Sequence, residues 1–318
     1  MSAYIIQRLL LTIPTVLGAT VIIFFIMRVV PGDAVDYLLG DSVTITAEQE
    51  EALRDDLGLN DPLPVQYVEW LRGIAILSPG DSFRTKQPIM DEVRPRLLVT
   101  AELAGGTILL SLLIALPMGV LSAVKQDKPL DYALRIVTIG GISVPGFWIA
   151  TLAILVLGMY VGWLPPIVYK EPWKNPASNL QQMIVPALIL GFGYSAIVAR
   201  MTRSAVLEVL REDYVRTARA KGLGSFVVTT RHVMRNALLS VITITSSQIG
   251  VLIGGTVIME TIFVLPGMGS YIVTSINQRD YPAIQFAIAL LATAYVLINL
   301  ATDLAYAALD PRIRLASS

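Results

Sequence analysis

The chain has 318 residues, 54% of them hydrophobic and only 15% charged, with a mean hydropathy of +0.66. Soluble domains sit near about 25% charged, so neither an ordinary soluble enzyme nor a disordered chain fits. Lys+Arg and Asp+Glu balance at 24 each, which leaves no global field for nucleic acid; with no cysteine and one histidine, His232, thiolate chemistry and a histidine metal cluster are excluded.

The apolar residues fall in blocks. A bilayer span needs about 20 of them, and six stretches approach or exceed that length: 9–30, 98–124, 133–160, 183–199, 238–265 and 284–309. The expected fold is an all-α polytopic membrane protein with about six transmembrane helices. The longer blocks call for tilt or kinks. The fourth is short and interrupted by Gly191 and Gly193. The first reads as a retained span and not a cleaved leader: its run outlasts the roughly 7–15 residues of a signal core and ends in Pro31-Gly32-Asp33, without a small-residue cleavage site.

With the N-terminus inside and alternating spans, the inside segments carry 14 cations against six acids, and outside segment 31–97 carries six cations against 13 acids. The positive-inside rule then puts both termini in the cytoplasm. Segment 31–97 contains two amphipathic helical pieces, 47–57 and 64–76. Thr46 is the expected N-cap of the first, and Gln49 completes a capping box. Segments 161–182 and 266–282 read as further outside loops, and 125–131 as a short inside turn.

The inside connection 200–235 holds eight cations. Charge placement alone accounts for those, but not for the organisation. Glu208, Glu212 and Asp213 precede a short helical run over 214–221, with Tyr214, Ala218 and Lys221 on one side. Gly222 ends the run as a left-handed C-terminal residue would. A second run, 227–237, returns to the membrane. A short, slim helix between two spans suits docking into another protein's groove.

Tyr214-Val-Arg-Thr-Ala-Arg-Ala-Lys-Gly222-Leu, followed by Arg231-His-Val-Met-Arg-Asn-Ala, resembles the coupling segment of ABC importer permeases. The nearest subfamily is the first permease subunit of dipeptide/oligopeptide importers. Similar stretches are Arg8-Leu-Leu with Ile13-Pro14-Thr15, Arg200-Met-Thr-Arg-Ser204, Glu260-Thr-Ile-Phe263 with Pro266-Gly-Met-Gly269, Asp280-Tyr281-Pro282 and Asp310-Pro-Arg-Ile-Arg314. They run in order along nearly the whole chain. Of the general Glu-Ala-Ala/Gly pattern only Ala218 and Gly222 match, and Ser240 stands where the subfamily usually has proline.

The resemblance implies a type I importer permease fold: an N-terminal span (1–30), a small extracytoplasmic helical domain (31–96), a permease core (97–310) containing coupling segment 204–235, and a cytoplasmic tail (311–318). It implies a multi-pass subunit of a bacterial or archaeal inner membrane. The expected partners are a second permease, two ATP-binding subunits and an external solute-binding protein. Tyr214, Val215, Arg216, Thr217, Ala218, Arg219, Ala220, Lys221 and Gly222 are the expected ATPase-coupling residues. The chain has no Gly-x-x-x-x-Gly-Lys-Ser/Thr phosphate loop, so ATP and Mg belong to the partner subunits and the chain itself is no enzyme. Peptides are the expected solute; nickel complexes, glutathione, opines and oligosaccharides are the alternatives, and a stand-alone secondary transporter is the competing class.

Three acids lie in or near spans. Glu102 is open to two readings, a pathway group or a first-turn acid favoured by the helix dipole. Glu260 sits deeper, as a pathway carboxylate or as a buried group fixing helix packing. Asp303 reads as a packing residue. Gly250 and Gly254 form a small-xxx-small pair suited to close helix approach.

Overall fold

The computed structural model describes residues 2–29, 47–56 and 58–309. The predicted cap Thr46, the Pro31-Gly32-Asp33 turn and the tail lie outside the described residues.

Eleven helices carry the described chain. They are α1 (Ser2–Val29), α2 (Ala47–Asp56), α3 (Leu63–Ala75), α4 (Ile89–Val124), α5 (Pro129–Ser143), α6 (Gly146–Val161), α7 (Pro176–Leu210), α8 (Asp213–Ala220), α9 (Ser225–Ile262), α10 (Met268–Asn277) and α11 (Tyr281–Leu309). Five of them, α1, α4, α7, α9 and α11, are long and apolar enough to cross a bilayer alone; α5 and α6 together make a sixth, bent by 94°.

That bend revises the expectation of one helix over 133–160. Val144 is extended (φ −96°, ψ 123°) because it precedes Pro145, whose ring disfavours helical geometry in its neighbour. α6 then restarts, ending in a π-helical turn closed by left-handed Gly162.

The fourth block is also revised, in the opposite direction. α7 starts where Asn175 caps it, accepting from the Ser178 N–H at 3.1 Å with Pro176 in the first turn. It then continues unbroken through Pro186, Gly191 and Gly193. Gly191 is a contact point: a Cβ there would lie 3.1 Å from Leu110 Cβ and 3.2 Å from Thr107 O. Lower down, a Cβ on Gly119 would fall 2.6 Å from Thr202 Cβ. Lipid tails are as apolar as leucine, so membrane helices associate through close packing at small residues. α4 accordingly turns Leu103, Thr107, Ser111, Ala115 and Gly119, spaced by four, toward its neighbours.

α4, α7 and α9 form the centre of the bundle, around Val99, Leu103, Met183, Ala187, Leu190, Leu252 and Met259. α1 stands at the periphery against α11, and α3 folds back on it. There the Thr20 and Tyr67 hydroxyls share a 2.9 Å hydrogen bond, Phe24 meets Tyr67 edge-on at 5.3 Å, and Arg28 lies over Phe24 at 3.3 Å. Segment 266–282, expected to be a loop, contains α10, which buries Met268, Gly269, Tyr271 and Ser275.

Candidate functional site

At the end of the bundle formed by 125–128 and 211–224, α8 lies on the returning chain. Val215 and Ala218, 0% and 7% exposed, pack with Ala205, Val206, Val228, Val233 and Ala237. Of Tyr214, Ala218 and Lys221, which share one side of the helix, only Ala218 is buried in this contact, with Val215 beside it. An eight-residue helix seats on one i, i+3 pair, and Lys221 already belongs to the cap (φ −77°, ψ 5°) and is exposed. Tyr214 sits at the edge of the contact, its hydroxyl accepting from Asn236 Nδ2 at 2.6 Å. Arg216, Thr217, Arg219, Ala220 and Gly222 face outward.

Gly222 adopts φ +82°, and no described atom lies within 4 Å of the place a Cβ would take. The requirement is therefore backbone geometry and not space. Its N–H donates to Arg219 O at 2.9 Å, and the Leu223 N–H reaches Ala218 O at 3.4 Å, a Schellman-type ending that satisfies the last carbonyls. Just beyond, Leu223, Phe226 and Val227 are 40%, 80% and 41% exposed. α8 thus presents a basic, small-residue face beside an uncovered apolar knob.

A second cluster fixes the helices that carry α8. Asp131, fully buried, receives Arg203 Nε at 2.9 Å and Nη2 at 2.7 Å, the Ser122 hydroxyl at 2.5 Å and the Asp127 N–H at 3.0 Å. Two parallel N–H···O contacts give a fork geometry that lysine cannot reproduce. This ties the α4–α5 turn to α7. In the sequence these residues count only as inside charges, because the partners stand 72 positions apart and no local pattern links them.

The acids singled out in the sequence all have partners. Glu260, 1% exposed, accepts from the Thr100 hydroxyl at 2.7 Å and the Ser270 N–H at 2.9 Å, while Thr100 Oγ1 accepts the Met268 N–H at 2.8 Å. The carboxylate sits at the N-terminus of α10, where free N–H groups and the helix dipole favour an anion. Gly267 and Gly269 complete the arrangement. A Cβ on Gly267 would overlap the Glu260 carboxylate, and one on Gly269 would lie 2.6 Å from Val257 Cα. The Pro266-Gly-Met-Gly269 run is therefore the mould for one carboxylate.

Glu102 accepts from the Tyr169 hydroxyl at 2.6 Å, tying 162–175 to α4. Burial first, then this carboxylate, push the Tyr169 phenol well above its ordinary range, so it stays a protonated donor. Asp303 pairs with Arg8 Nη1 at 2.9 Å, joining α11 to α1. The Gly250–Gly254 pair divides: a Cβ on Gly250 would press Tyr295 Cε2 at 2.8 Å, whereas Gly254 meets nothing within 4 Å among the described residues. Asp280, 3% exposed, binds the Ser82 hydroxyl and accepts the Phe83 N–H at 3.2 Å, fastening 77–88 to the α10–α11 turn. Beside it lies a polar cavity of about 330 Å³, lined by Glu92, Arg96, Tyr271 and Gln278 among others. Among the described residues no group of His, Asp or Glu could hold a metal ion.

Residues 115–315 match the family described as the binding-protein-dependent transport system inner membrane component, and residues 1–104 match that family's N-terminal component. The dipeptide transport system permease protein DppB of Alkalihalophilus pseudofirmus is 39% identical, over 99% of this chain and 100% of its own length. The di/tripeptide transport system permease protein DppB of Pseudomonas aeruginosa is 36% identical, over 99% of each. Among solved structures, an inward-facing form of the MetNI methionine ABC transporter superposes with a TM-score of 0.58 at 19% identity, covering 70% of this chain and 99% of that one; this likeness concerns the fold. Those full-length matches, on a bundle of long apolar helices, make the chain a member of the inner-membrane component family of binding-protein-dependent transport systems, the permease subunits of ABC importers, in which separate subunits hydrolyse ATP.

Proposed function

We propose that the chain is one of two permease subunits forming the membrane pathway of a di- or oligopeptide importer in a bacterial or archaeal inner membrane, with both termini cytoplasmic. Tyr214 to Gly222 dock into an ATP-binding subunit, one of two. An external binding protein delivers the solute to the opposite end, where 77–88 and 266–282 lie. Nucleotide-driven approach of the ATP-binding subunits displaces α8, and the clamp between Asp131 and Arg203 passes that displacement to α4, α5 and α7 together. Glu102, Glu260 and Asp303 hold helices in register and do not contact solute.

The observation that carries this reading is the outward face of α8 with its apolar knob. Phe226 is 80% exposed in the first turn of α9, within a segment, 200–235, that carries eight cations. Together with Leu223 and Val227, 40% and 41% exposed, it makes an apolar patch that suits a protein contact. The substrate class rests on the full-length relatives named as peptide permeases.

The test is gentle extraction of the tagged chain, followed by uptake of a labelled dipeptide into vesicles rebuilt from everything that co-purifies. Uptake that requires both ATP and the binding protein is the expected result. Recovery without an ATP-binding subunit, or uptake indifferent to ATP, overturns the reading. Phe226→Ser should weaken recovery of the ATP-binding subunit about tenfold, as loss of an aromatic anchor does; undiminished recovery removes the knob from the docking surface.

A further inference from the structure

Hydroxyls within the spans almost all return a hydrogen bond to their own helix. Thr151 donates to Phe147 O at 2.9 Å, Thr202 to Val198 O at 2.8 Å and Thr293 to Ala289 O at 2.7 Å. Thr100 and Ser122 instead serve a carboxylate on another helix, and one place has neither arrangement. Thr107 Oγ1 on α4 and Thr245 Oγ1 on α9 are buried and have no hydrogen-bond partner. They line a single cavity with Ser111, Tyr194 and Gln248, which likewise bond to no described protein group. Thr107 and Ser111 are 0% and 4% exposed.

All five side chains lie close to the midpoints of their helices, so the cavity sits at the middle of the bundle where α4, α7 and α9 meet. It leaves about 20 Å³ to a water-sized sphere, against the roughly 10–15 Å³ that one water needs. A hydroxyl left unpaired in an apolar interior costs about 1–3 kcal/mol, and the bilayer core offers no solvent to relieve it. The two unpaired hydroxyls of Thr107 and Thr245 on this space meet the lower limit of the two to four polar partners that a buried water takes. No carboxylate, guanidinium or ammonium lines the space, so its ligand is neutral.

We propose that Thr107, Ser111, Tyr194, Thr245 and Gln248 form a water-binding site in the centre of the membrane, with one ordered water bridging α4, α7 and α9. Helices joined through a water exchange partners without stranding a hydroxyl, so the three spans slide past one another here at little cost. The site stands independently of the docking role of α8.

X-ray radiolytic footprinting tests it, with the full chain and its co-purifying subunits in lipid nanodiscs. Radicals born from bound water oxidise side chains beside that water. Tyr194 should be oxidised well above Phe263, which is 0% exposed and does not line the cavity. The near-isosteric double variant Thr107→Val with Thr245→Val should bring Tyr194 down to the level of Phe263 while exposed Tyr214 is labelled as before. Tyr194 oxidation no faster than Phe263 in the unaltered chain overturns the site, as does oxidation that persists in the double variant.

Discussion

Thr100 bonds twice at one oxygen: its hydroxyl donates to Glu260 at 2.7 Å and accepts the Met268 N–H at 2.8 Å. A side chain of α4 thereby locks the end of α9 to the start of α10. Hydrogen bonds to a charged group are worth about 1.5–3 kcal/mol each. Glu260→Ala strands several donors and should destabilise the chain by at least about 3 kcal/mol. Glu260→Gln, which keeps the shape but turns one end into a donor, should fall between. Thermal unfolding in detergent gives the order; equal melting of all three proteins would remove Glu260 from a structural role.

The Arg203–Asp131 fork makes a sharper prediction. Breaking a buried pair by removing one partner costs about 3–5 kcal/mol, so Arg203→Ala should lose that much. Arg203→Lys should recover only part of it, because an ammonium engages one oxygen at a time. Asp131→Asn combined with Arg203→Met should lose less than Arg203→Ala alone, since no uncompensated charge is left. A double variant that sums the two single losses would show that the pair is not coupled.

At Gly222 the conformation is constrained and the volume is free. An L-residue in the left-handed region costs roughly 1–2 kcal/mol, with asparagine the mildest and β-branched residues the worst. ATP-coupled uptake should therefore fall in the order Gly, Asn, Ala, Val, with insertion and melting of the bundle little changed. Uptake that follows side-chain size without regard to β-branching, or that does not change, contradicts the backbone argument.

Gly119 and Gly105 form an internal comparison on α4. A Cβ at 119 meets Thr202 Cβ at 2.6 Å and Ala199 O at 2.7 Å, whereas one at 105 meets nothing within 4 Å. Gly119→Ala should destabilise by about 1–3 kcal/mol through overpacking. Gly105→Ala should be neutral or should stabilise by up to about 1 kcal/mol through helix propensity. Melting curves of the two variants decide the matter.

Much of the scaffold was legible because the bilayer demands long apolar runs and sorts charge by side. The short helix α8 was legible to within a residue, since Gly222 is a local stop signal. What the sequence could not yield was pairing at a distance. Thr100 and Glu260 are 160 positions apart and Ser82 and Asp280 are 198 apart, and neither pair leaves a local trace. Which face of α8 packs on the bundle was not legible, because a helix of eight residues is too short for a periodic seam. Gly191 and Gly193 looked like weak points of a short span, yet Gly191 is one of the places where α4 and α7 pack closely. The 94° break at Val144-Pro145 was not read from the sequence, because a proline within an apolar block leaves the hydropathy pattern unchanged.

α7 runs 35 residues without interruption, roughly 52 Å at 1.5 Å per residue, against a hydrocarbon thickness of about 30 Å. One end abuts α8; the other is held by Asn179 and Gln182, which donate to Lys170 O at 2.9 Å and Pro166 O at 2.7 Å. It is a strut reaching from one aqueous face to the other. In the proposed importer a push delivered at its foot would reach the far loop as travel of the whole rod, and the two mouths would then not keep independent time.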